Sequence, residues 1–319
     1  MTKFEITILG CGAALPTLRH FTTTQVLNIH EKFFMLDCCE AAQILFLKAD
    51  QLKFGKLDHI FISHRHGDHC FGLPCLLSSM SLMGRVAPLH LYMTPDLEPQ
   101  MRQVIDFFCH IPFEIVFHTL NPDQPERIYE DKEMVVESIP MNHGVPCCGF
   151  LFKEKQKPNR LLREKTDAYD IPVTQLAKIK DGADYVLPNG TVIPNSKLTE
   201  PIDELPKSYA FCSDTLFNPN MFEQLRDVDV LYHETTFSDA DIDRAVEWKH
   251  STAKQAAETA RAINTKQLII GHYSTRYDEA ALLAEAQAVF PNTIAAYDGM
   301  VFTLPEKTRC SPYRKKLEV

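Results

Sequence analysis

The segment that restricts the fold of this chain most directly follows an apolar run at residues 57–62, which predicts a buried strand. It reads Ser-His-Arg-His-Gly-Asp-His and places four potential metal ligands, His64, His66, Asp68 and His69, within six residues. Imidazole nitrogen and carboxylate oxygen suit Zn²⁺, and loops at strand ends are where a rigid scaffold presents such groups. Extended backbone points His64 and His66 the same way, whereas Asp68 and His69 can face a second position. The segment therefore predicts two metal ions about 3.5–4 Å apart, in preference to a polar loop with chance histidines.

This segment alone supplies too few ligands for two metals, so the remaining ligands should lie at the ends of later strands. His143, Asp214 and His272 each follow a run that predicts a strand, and small residues flank each of them. Taken singly, Asp214 has the alternative role of a helix N-cap, and the two histidines could be hydrogen-bonded turn residues. Together with the first segment they complete the coordination, and Asp214 is placed to bridge both metals.

Two further polar residues stand beside predicted elements. Glu234 follows a predicted strand at 228–233, and His250 precedes an amphipathic helix. Glu234 also fits an ordinary polar strand end, and His250 fits a residue next to a helix cap formed by Ser251 or Thr252. Residue chemistry alone selects neither of them as catalytic.

Around these motifs, short apolar strands alternate with amphipathic helices in two similar halves, which predicts an α/β fold with helices on the outer faces of sheets. The predicted helices include 68–80, 97–109 and 218–225. Periodicity does not distinguish one mixed sheet from two packed sheets. Residues 153–200 separate the halves, are rich in Lys, Asp, Asn and Pro, and have weak periodicity; a loop of this length is usually functional or an inserted arm.

Net charge and cysteine usage restrict the class of protein further. The formal net charge of −9 argues against a protein that coats nucleic acid non-specifically, although a local basic patch can still bind RNA. No run of about 18 uncharged apolar residues and no signal-peptide pattern occur, so we expect a cytoplasmic protein without a membrane partner. Ten cysteines without a C-x-x-C pair favour reduced, mostly buried thiols over disulfides or cysteine-ligated zinc.

Taken together, the motifs resemble those of tRNase Z, the tRNA 3′-processing endonuclease family of the metallo-β-lactamase superfamily. The matching segments are, in chain order, Ile8-Leu-Gly-Cys-Gly-Ala13, Leu36-Asp-Cys-Cys-Glu-Ala41, residues 64–74, His143, Asp214, His233-Glu-Thr-Thr-Phe237, His250-Ser-Thr252 and Gly271-His-Tyr-Ser-Thr-Arg-Tyr277. The His-x-His-x-Asp-His core marks only the superfamily, whereas the later segments are much more specific to the family. The resemblance covers nearly the whole chain.

The resemblance implies a fold and a metal site. The fold is a four-layer αββα sandwich, one domain over residues 1–319, with 153–200 inserted as a flexible arm that grips the tRNA elbow. One zinc ion would be held by His64, His66 and His143, and a second by Asp68, His69 and His272, with Asp214 between them. Family members commonly form homodimers in which the arm of one subunit serves the active site of the other.

The arm carries the basic residues expected to contact RNA phosphates. They are Lys153, Lys155, Lys157, Arg160, Arg163, Lys165, Lys178 and Lys180. Without the resemblance, a solvated polar insertion would be the preferred interpretation of such a run. The chain also departs from the family: residues 171–182 lack the Gly-Pro that such arms usually carry, and Cys39 and Ser213 stand where glycine is usual.

The resulting hypothesis is a zinc-dependent endoribonuclease that removes the 3′ trailer from precursor tRNA, leaving a 3′-hydroxyl on the tRNA and a 5′-phosphate on the trailer. Asp68 would orient the attacking water or accept its proton, and His250, held by Glu234, would protonate the departing 3′ oxygen. Two alternatives are a small-molecule phosphodiesterase or sulfatase of the same superfamily and a non-catalytic, metal-stabilised RNA-binding protein. The expected partners are precursor tRNA and a second copy of the chain, but neither DNA nor a membrane.

Overall fold

A computed structural model describes residues 3–307 of the chain. Its strands are β1 (Phe4–Gly10), β2 (Thr24–Ile29), β3 (Lys32–Leu36), β4 (Leu57–Phe61), β5 (Leu89–Met93), β6 (Ile115–Thr119), β7 (Arg127–Glu130), β8 (Met134–Pro140), β9 (Cys148–Glu154), β10 (Arg160–Leu161), β11 (Tyr185–Val186), β12 (Val192–Ile193), β13 (Thr199–Glu200), β14 (Ser208–Cys212), β15 (Val230–Glu234), β16 (Gln267–Gly271), β17 (Thr293–Ala295) and β18 (Val301–Thr303). Its helices are α1 (Ala42–Lys48), α2 (Gly67–Cys70), α3 (Leu73–Leu82), α4 (Glu98–Phe108), α5 (Arg163–Ala168), α6 (Val173–Lys180), α7 (Asn195–Leu198), α8 (Ile242–Trp248), α9 (Ala253–Ala262) and α10 (Glu279–Val289). The basic tail at Arg314, Lys315 and Lys316, for which the sequence predicts a frayed end, lies outside the described residues.

The strands of the larger body form two mixed sheets, each of seven strands within residues 3–307. The first has the order β18-β1-β2-β3-β4-β5-β6, and the second has the order β17-β16-β15-β14-β9-β8-β7. Strands β3 to β6 run parallel to one another, and so do β14 to β17. Parallel neighbours bring their carboxyl ends to one edge of a sheet, which is where ligand sites of such sheets form.

The two sheets pack face to face through buried aromatic rings. Phe34 and Phe61 of the first sheet meet Phe152 and Phe150 of the second, with ring centroids 5.7 Å apart for Phe34–Phe152 and 5.2 Å for Phe61–Phe150. All four side chains are fully buried. Tilted and edge-on ring pairs of this kind add to the free energy gained by burying apolar surface, so this aromatic layer is the centre of the core.

Helices cover the outer faces of both sheets. Apolar side chains of α1, α3 and α4 share one buried cluster with residues of β3, β4 and β5. On the other side, α9 packs on β15 and β16, and α10 packs on β17. The arrangement is the αββα sandwich that the sequence motifs predicted, and it answers the open question of one sheet or two.

Two predicted helices differ in the structure. The helix predicted at 68–80 is divided into α2 and α3 at Gly72, where an added Cβ would lie 1.7 Å from the carbonyl oxygen of Cys39. Only glycine permits the backbone of Cys39 to approach so closely. The helix predicted at 218–225 is instead a single 3₁₀ turn at Pro219–Met221, capped by Asn218.

A second compact unit is built mainly on Glu154–Lys207, with Asp131–Met134 and the described chain from Pro305. It contains α5, α6 and α7 and the strand pairs β10–β13 and β11–β12. Its small apolar core is Ile171, Leu176, Ile179, Ile193 and Leu198. The weak periodicity of the sequence here gave no sign of these helices, because elements of four to eight residues are too short for a periodic pattern.

No helix within the described residues is long and apolar enough to cross a bilayer.

Candidate functional site

The parallel strands of the second sheet place three polar residues at one edge. Glu234 is the last residue of β15, His272 directly follows β16, and Asp214 lies two residues after β14. These strands are adjacent and parallel, in the order β16-β15-β14. Their carboxyl ends therefore bring the three side chains together, although Asp214 and His272 are 58 positions apart in the sequence.

Asp37 and His64 follow the parallel strands β3 and β4 of the first sheet, while His66 lies on the loop after β4 and Asp68 and His69 lie on α2. His143 lies on the loop after β8 of the second sheet. The structure thus brings all seven residues that the sequence singled out as ligands to the edges of the two sheets, in two groups.

The first group is formed by three histidines and one oxygen of Asp214. Nε2 of His64 lies 3.0 Å from Nδ1 of His66, which lies 3.3 Å from Nε2 of His143. Oδ2 of Asp214 is 3.6 Å from Nε2 of His64 and 3.8 Å from Nε2 of His143. Burial lowers the pKa of His64 well below its usual value, so its imidazole is neutral, the form that binds metals.

The second group is formed by Asp68, His69, His272 and the other oxygen of Asp214. Oδ2 of Asp68 lies 3.3 Å from Nε2 of His69 and 3.8 Å from Nε2 of His272. Oδ1 of Asp214 lies 3.4 Å from the same atom of His69 and 3.2 Å from that of His272. Asp214 therefore turns one carboxylate oxygen to each group, as a bridging ligand would.

One feature of the histidines indicates directly that the two groups suit bound metal cations. Nε2 of His69 and Nε2 of His272 are buried and have no hydrogen-bond partner among the described residues. Their Nδ1 atoms lie 2.7 Å from Oδ2 of Asp37 and 2.8 Å from Oγ1 of Thr236. An imidazole that is hydrogen-bonded through one nitrogen and has the other facing carboxylates is the usual arrangement of a metal-binding histidine. Nitrogen and oxygen donors of this kind suit first-row divalent metals.

Asp37 holds the ligands of the first sheet in position. Its Oδ1 accepts a hydrogen bond from the backbone N–H of Ser63 at 2.7 Å, and its Oδ2 accepts one from the Ser63 hydroxyl at 3.0 Å. Oγ of Ser63 lies 2.9 Å from Nδ1 of His64. Sequence analysis did not select Asp37 as a site residue, although its place directly after a strand was an available signal.

The partly buried His250 and the buried Glu234 form a pair beside both groups. Nδ1 of His250 lies 2.9 Å from Oε1 of Glu234, which also accepts hydrogen bonds from the backbone N–H groups of Thr215 and Ser251 at 3.0 Å each. Burial by itself lowers the pKa of His250, but the charge and hydrogen bond of Glu234 outweigh it, and the pKa rises to about 9. The His250 ring is centred 5.0 Å from that of His143. The imidazole is therefore positively charged at neutral pH.

Thr236 connects this pair to the second group. Its hydroxyl donates to Oε2 of Glu234 at 2.6 Å and accepts from Nδ1 of His272. Glu234 consequently orients His250 directly and His272 through one hydroxyl. The sequence analysis did not identify Thr236 as functional; its signal was its position two residues after Glu234.

The eight basic residues of the predicted arm fall into two classes. Lys153 pairs with Glu137, Lys157 with Glu204 and Arg160 with Glu200, and Nζ of Lys155 donates to the carbonyl oxygen of Asp131. The other four are exposed and make no ion pair with a described acidic side chain; they are Arg163, Lys165, Lys178 and Lys180. Half of the eight cations predicted to contact RNA phosphates are thus already bound to oxygen atoms of the protein itself.

Comparison with known proteins identifies the family. A family model described as "Anti-Pycsar protein Apyc1" matches residues 4–156. In overall fold, the chain matches the metallo-β-lactamase fold protein YhfI from Bacillus subtilis over 95% of its length and 100% of that chain, with 16% identity and a TM-score of 0.68. It matches human tRNase Z, short form, over 94% of its length and 99% of that chain, with 25% identity and a TM-score of 0.70.

Relatives at much higher identity cover almost the whole chain. A protein named Ribonuclease Z from Bacteroides fragilis is 51% identical over 306 residues, which are 95% of this chain and 100% of the relative. Another of the same name, from Porphyromonas gingivalis, is 45% identical over 94% of this chain and 99% of its own length. These relatives match almost the full length of the chain at this level of identity, and the chain has the αββα fold with two groups of histidine and aspartate at the edges of its sheets. The chain therefore belongs to the ribonuclease Z family.

Proposed function

We propose that the chain is a zinc-dependent endoribonuclease that removes the 3′ trailer of tRNA precursors, leaving a 3′-hydroxyl on the tRNA and a 5′-phosphate on the trailer. Its activity class, tRNA 3′-processing endoribonuclease, follows from membership of the family and from the likeness to human tRNase Z. The observation that carries the proposal is the Asp214 carboxylate between two histidine groups, with the His250–Glu234 pair beside them.

We assign two Zn²⁺ ions to the two groups. His64, His66 and His143 would hold one ion, Asp68, His69 and His272 the other, and Asp214 would bind both. When bound, such a pair lowers the pKa of a coordinated water toward neutrality and offsets the negative charge that grows on the phosphoryl oxygens. The two orphaned histidine nitrogens support metal binding, and the nitrogen-and-oxygen donor set supports zinc.

The chain's own residues have distinct tasks in the proposed reaction. Asp68 orients the attacking water or accepts its proton, and its Oδ2 is itself held by the backbone N–H of Ala14 at 2.9 Å. Nδ1 of His250 is engaged by Glu234, so Nε2 is the atom that donates a proton to the departing 3′ oxygen. The charge of Glu234 keeps His250 protonated before that transfer, as a general acid requires.

The test is cleavage of a trailer-bearing precursor tRNA by the purified chain, with both fragment ends mapped. We expect one cut after the tRNA 3′ end, loss of cleavage with a chelator, and recovery on adding Zn²⁺. Turnover of bis(p-nitrophenyl) phosphate without cleavage of the precursor would favour the small-molecule phosphodiesterase instead. Metal-dependent RNA binding without cleavage would favour the non-catalytic RNA-binding protein, against which the intact His250–Glu234 pair counts.

We further propose that residues 153–200 are the tRNA-binding arm. The four exposed cations, Arg163, Lys165, Lys178 and Lys180, are free to meet phosphates. The paired cations would first have to leave their carboxylates. A phosphodiesterase for small molecules has no need of such an insertion, so the folded second unit supports the RNA substrate.

Homodimerisation and a cytoplasmic location complete the proposal. Large apolar side chains are exposed on and next to helices of the first sheet: Ile44 and Leu47 on α1, Phe71 after α2, and Leu82 on α3. Exposed apolar residues of this size are typical of interaction surfaces, and light scattering after gel filtration would give the oligomeric state.

The cysteines support the cytoplasmic location. All nine described cysteines are free thiols, which suits a reducing compartment, and cell fractionation would test the location.

A further inference from the structure

Five helices within the described chain end in the same way, with one residue in the left-handed conformation. In each, the N–H of that residue bonds to the carbonyl three positions back, and the next N–H bonds to the carbonyl five back. The left-handed residues are Gly84 after α3, Asp170 after α5, Gly182 after α6, Lys249 after α8 and Asn264 after α9. Glycine, asparagine and aspartate tolerate this conformation, whereas a lysine is strained in it. Lys249, with φ of 54°, is the exception.

Lys249 is bound to a proposed metal ligand through both its backbone and its side chain. Its carbonyl oxygen accepts a hydrogen bond from Nδ1 of His143 at 3.0 Å, and its Nζ donates to the carbonyl oxygen of His143 at 3.3 Å. The backbone bond needs no lysine, because every residue has a carbonyl group. The side-chain bond holds an ammonium group at the backbone of His143, a proposed metal ligand, and Lys249 directly precedes His250 in the chain.

The charges around this ammonium leave it available to an anion. Lys249 is exposed and makes no ion pair with a described carboxylate, and an ammonium has three N–H donors, of which His143 takes one. The other cation in the metal-binding segment, Arg65, is already paired with Asp96 at 3.2 Å. The carboxylates of the site are engaged elsewhere: Glu234 pairs with His250, and Asp68 and Asp214 face the two histidine groups. None of them therefore neutralises the charge of Lys249.

We propose that Lys249 binds a phosphate of the RNA next to the cleaved bond, and that this contact is the reason for a lysine in a strained left-handed position. The inference rests on the proposed function and deepens it. In the competing interpretation, Lys249 has a purely structural role and only holds the His143 loop in position; we call this role a brace. The two roles differ because a brace affects the metal site, whereas a phosphate contact affects affinity for RNA and its dependence on salt.

The experiment compares Lys249→Gly and Lys249→Asn, which suit the left-handed backbone but lack the charge, with Lys249→Arg, which keeps it. Asn264→Gly, at the equivalent position after α9, is the matched control. For the glycine and asparagine variants we expect full metal content, an unfolding temperature equal to or above that of the parent, and a KM for precursor tRNA raised about tenfold. The slope of log kcat/KM against log salt should fall by about one. Lys249→Arg should restore most of the affinity, and Asn264→Gly should behave as the parent.

The proposal is overturned if Lys249→Gly leaves the KM for the precursor unchanged. It is equally overturned if kcat falls together with the metal content and arginine does not restore it, since that is the behaviour of a brace. If the parent chain does not cleave precursor tRNA at all, the proposed function fails, and fluorescence anisotropy with labelled RNA then tests Lys249 separately. Equal RNA affinity of the parent and Lys249→Gly in that assay would overturn the inference.

Discussion

At the scale of single residues, the His250–Glu234 pair best distinguishes residues proposed to perform chemistry from residues proposed to bind metal. His250 is close to both ligand groups but belongs, in our proposal, to neither. Replacing it by Ala should therefore reduce kcat for precursor tRNA by roughly 10²–10⁴-fold while the zinc content, measured by atomic emission, stays that of the parent. A near-normal rate, or loss of zinc in this variant, would contradict its role as general acid.

The carboxylate of Glu234 should set the pH range in which His250 works. Glu234 raises the pKa of His250 to about 9, and an acid acts only while protonated, so the rate of the parent should fall as pH rises through about 9. Glu234→Gln removes the negative charge, so the pKa should drop toward the ordinary value of about 6.5. The alkaline limb of the kcat–pH profile should move down with it. Metal content and unfolding temperature are the controls, and an alkaline limb that does not move would show that Glu234 does not tune the acid.

Residue type and position selected seven candidate ligands that the structure brings together, but not the residues that hold them. His64, Asp214 and His272 each have a metal-binding side chain and follow an apolar strand, and this combination can be recognised in the sequence. Asp37, Thr236 and Lys249 each contact a residue that is distant in sequence, namely Ser63, His272 and His143. Their residue types are ordinary for turns and helix ends, so a position after a strand, near Glu234 or before His250 is only a weak local signal.

At the scale of elements, the second unit separates basic residues that the sequence treats alike. Lys178 and Lys180 are exposed on or at the end of α6, whereas Lys157 and Arg160 are paired with Glu204 and Glu200. A cation that must first leave an ion pair gains less from a phosphate, because the two interactions compete. The sequence gives the number of these charges but not their pairing; Arg160, for example, meets Glu200 because β10 and β13 are aligned in that register.

A pair of double variants tests this difference. Lys178→Ala/Lys180→Ala should raise the KM for precursor tRNA about tenfold or more and lower the salt slope by roughly 1–2. Lys157→Ala/Arg160→Ala should have the smaller effect in the same kinetic titrations over salt. Turnover of bis(p-nitrophenyl) phosphate, which is too small to reach an arm, is the control for both. Equal effects of the two double variants, or none from either, would contradict the assignment of RNA binding to the exposed cations.

At the scale of the whole molecule, periodicity predicted alternating strands and helices but left the number of sheets open. An apolar residue at every second position indicates that one face of a strand is buried, but it does not indicate which element covers that face. The aromatic layer pairs Phe34 with Phe152 and Phe61 with Phe150, residues from opposite halves of the sandwich, and single-residue patterns carry no sign of that pairing. The family motifs, by contrast, span both halves of the chain, and they predicted the sandwich.

The ligands also come from both sheets, so the proposed metals should join the two halves of the sandwich. His64, Asp68 and His69 lie after β4 of the first sheet, and Asp214 and His272 lie after strands of the second. A ligand that binds only the folded state stabilises it by about 4 kcal/mol at a thousandfold excess over its Kd, which is roughly 8–16 °C in Tm for a large domain. Chelation should lower Tm by this amount in scanning calorimetry, and Zn²⁺ should restore it. Asp214→Asn, which weakens both groups at once, should unfold near the temperature of the chelated parent and respond little to chelator. An unchanged Tm after complete removal of metal would mean that the two halves are held by their aromatic core alone.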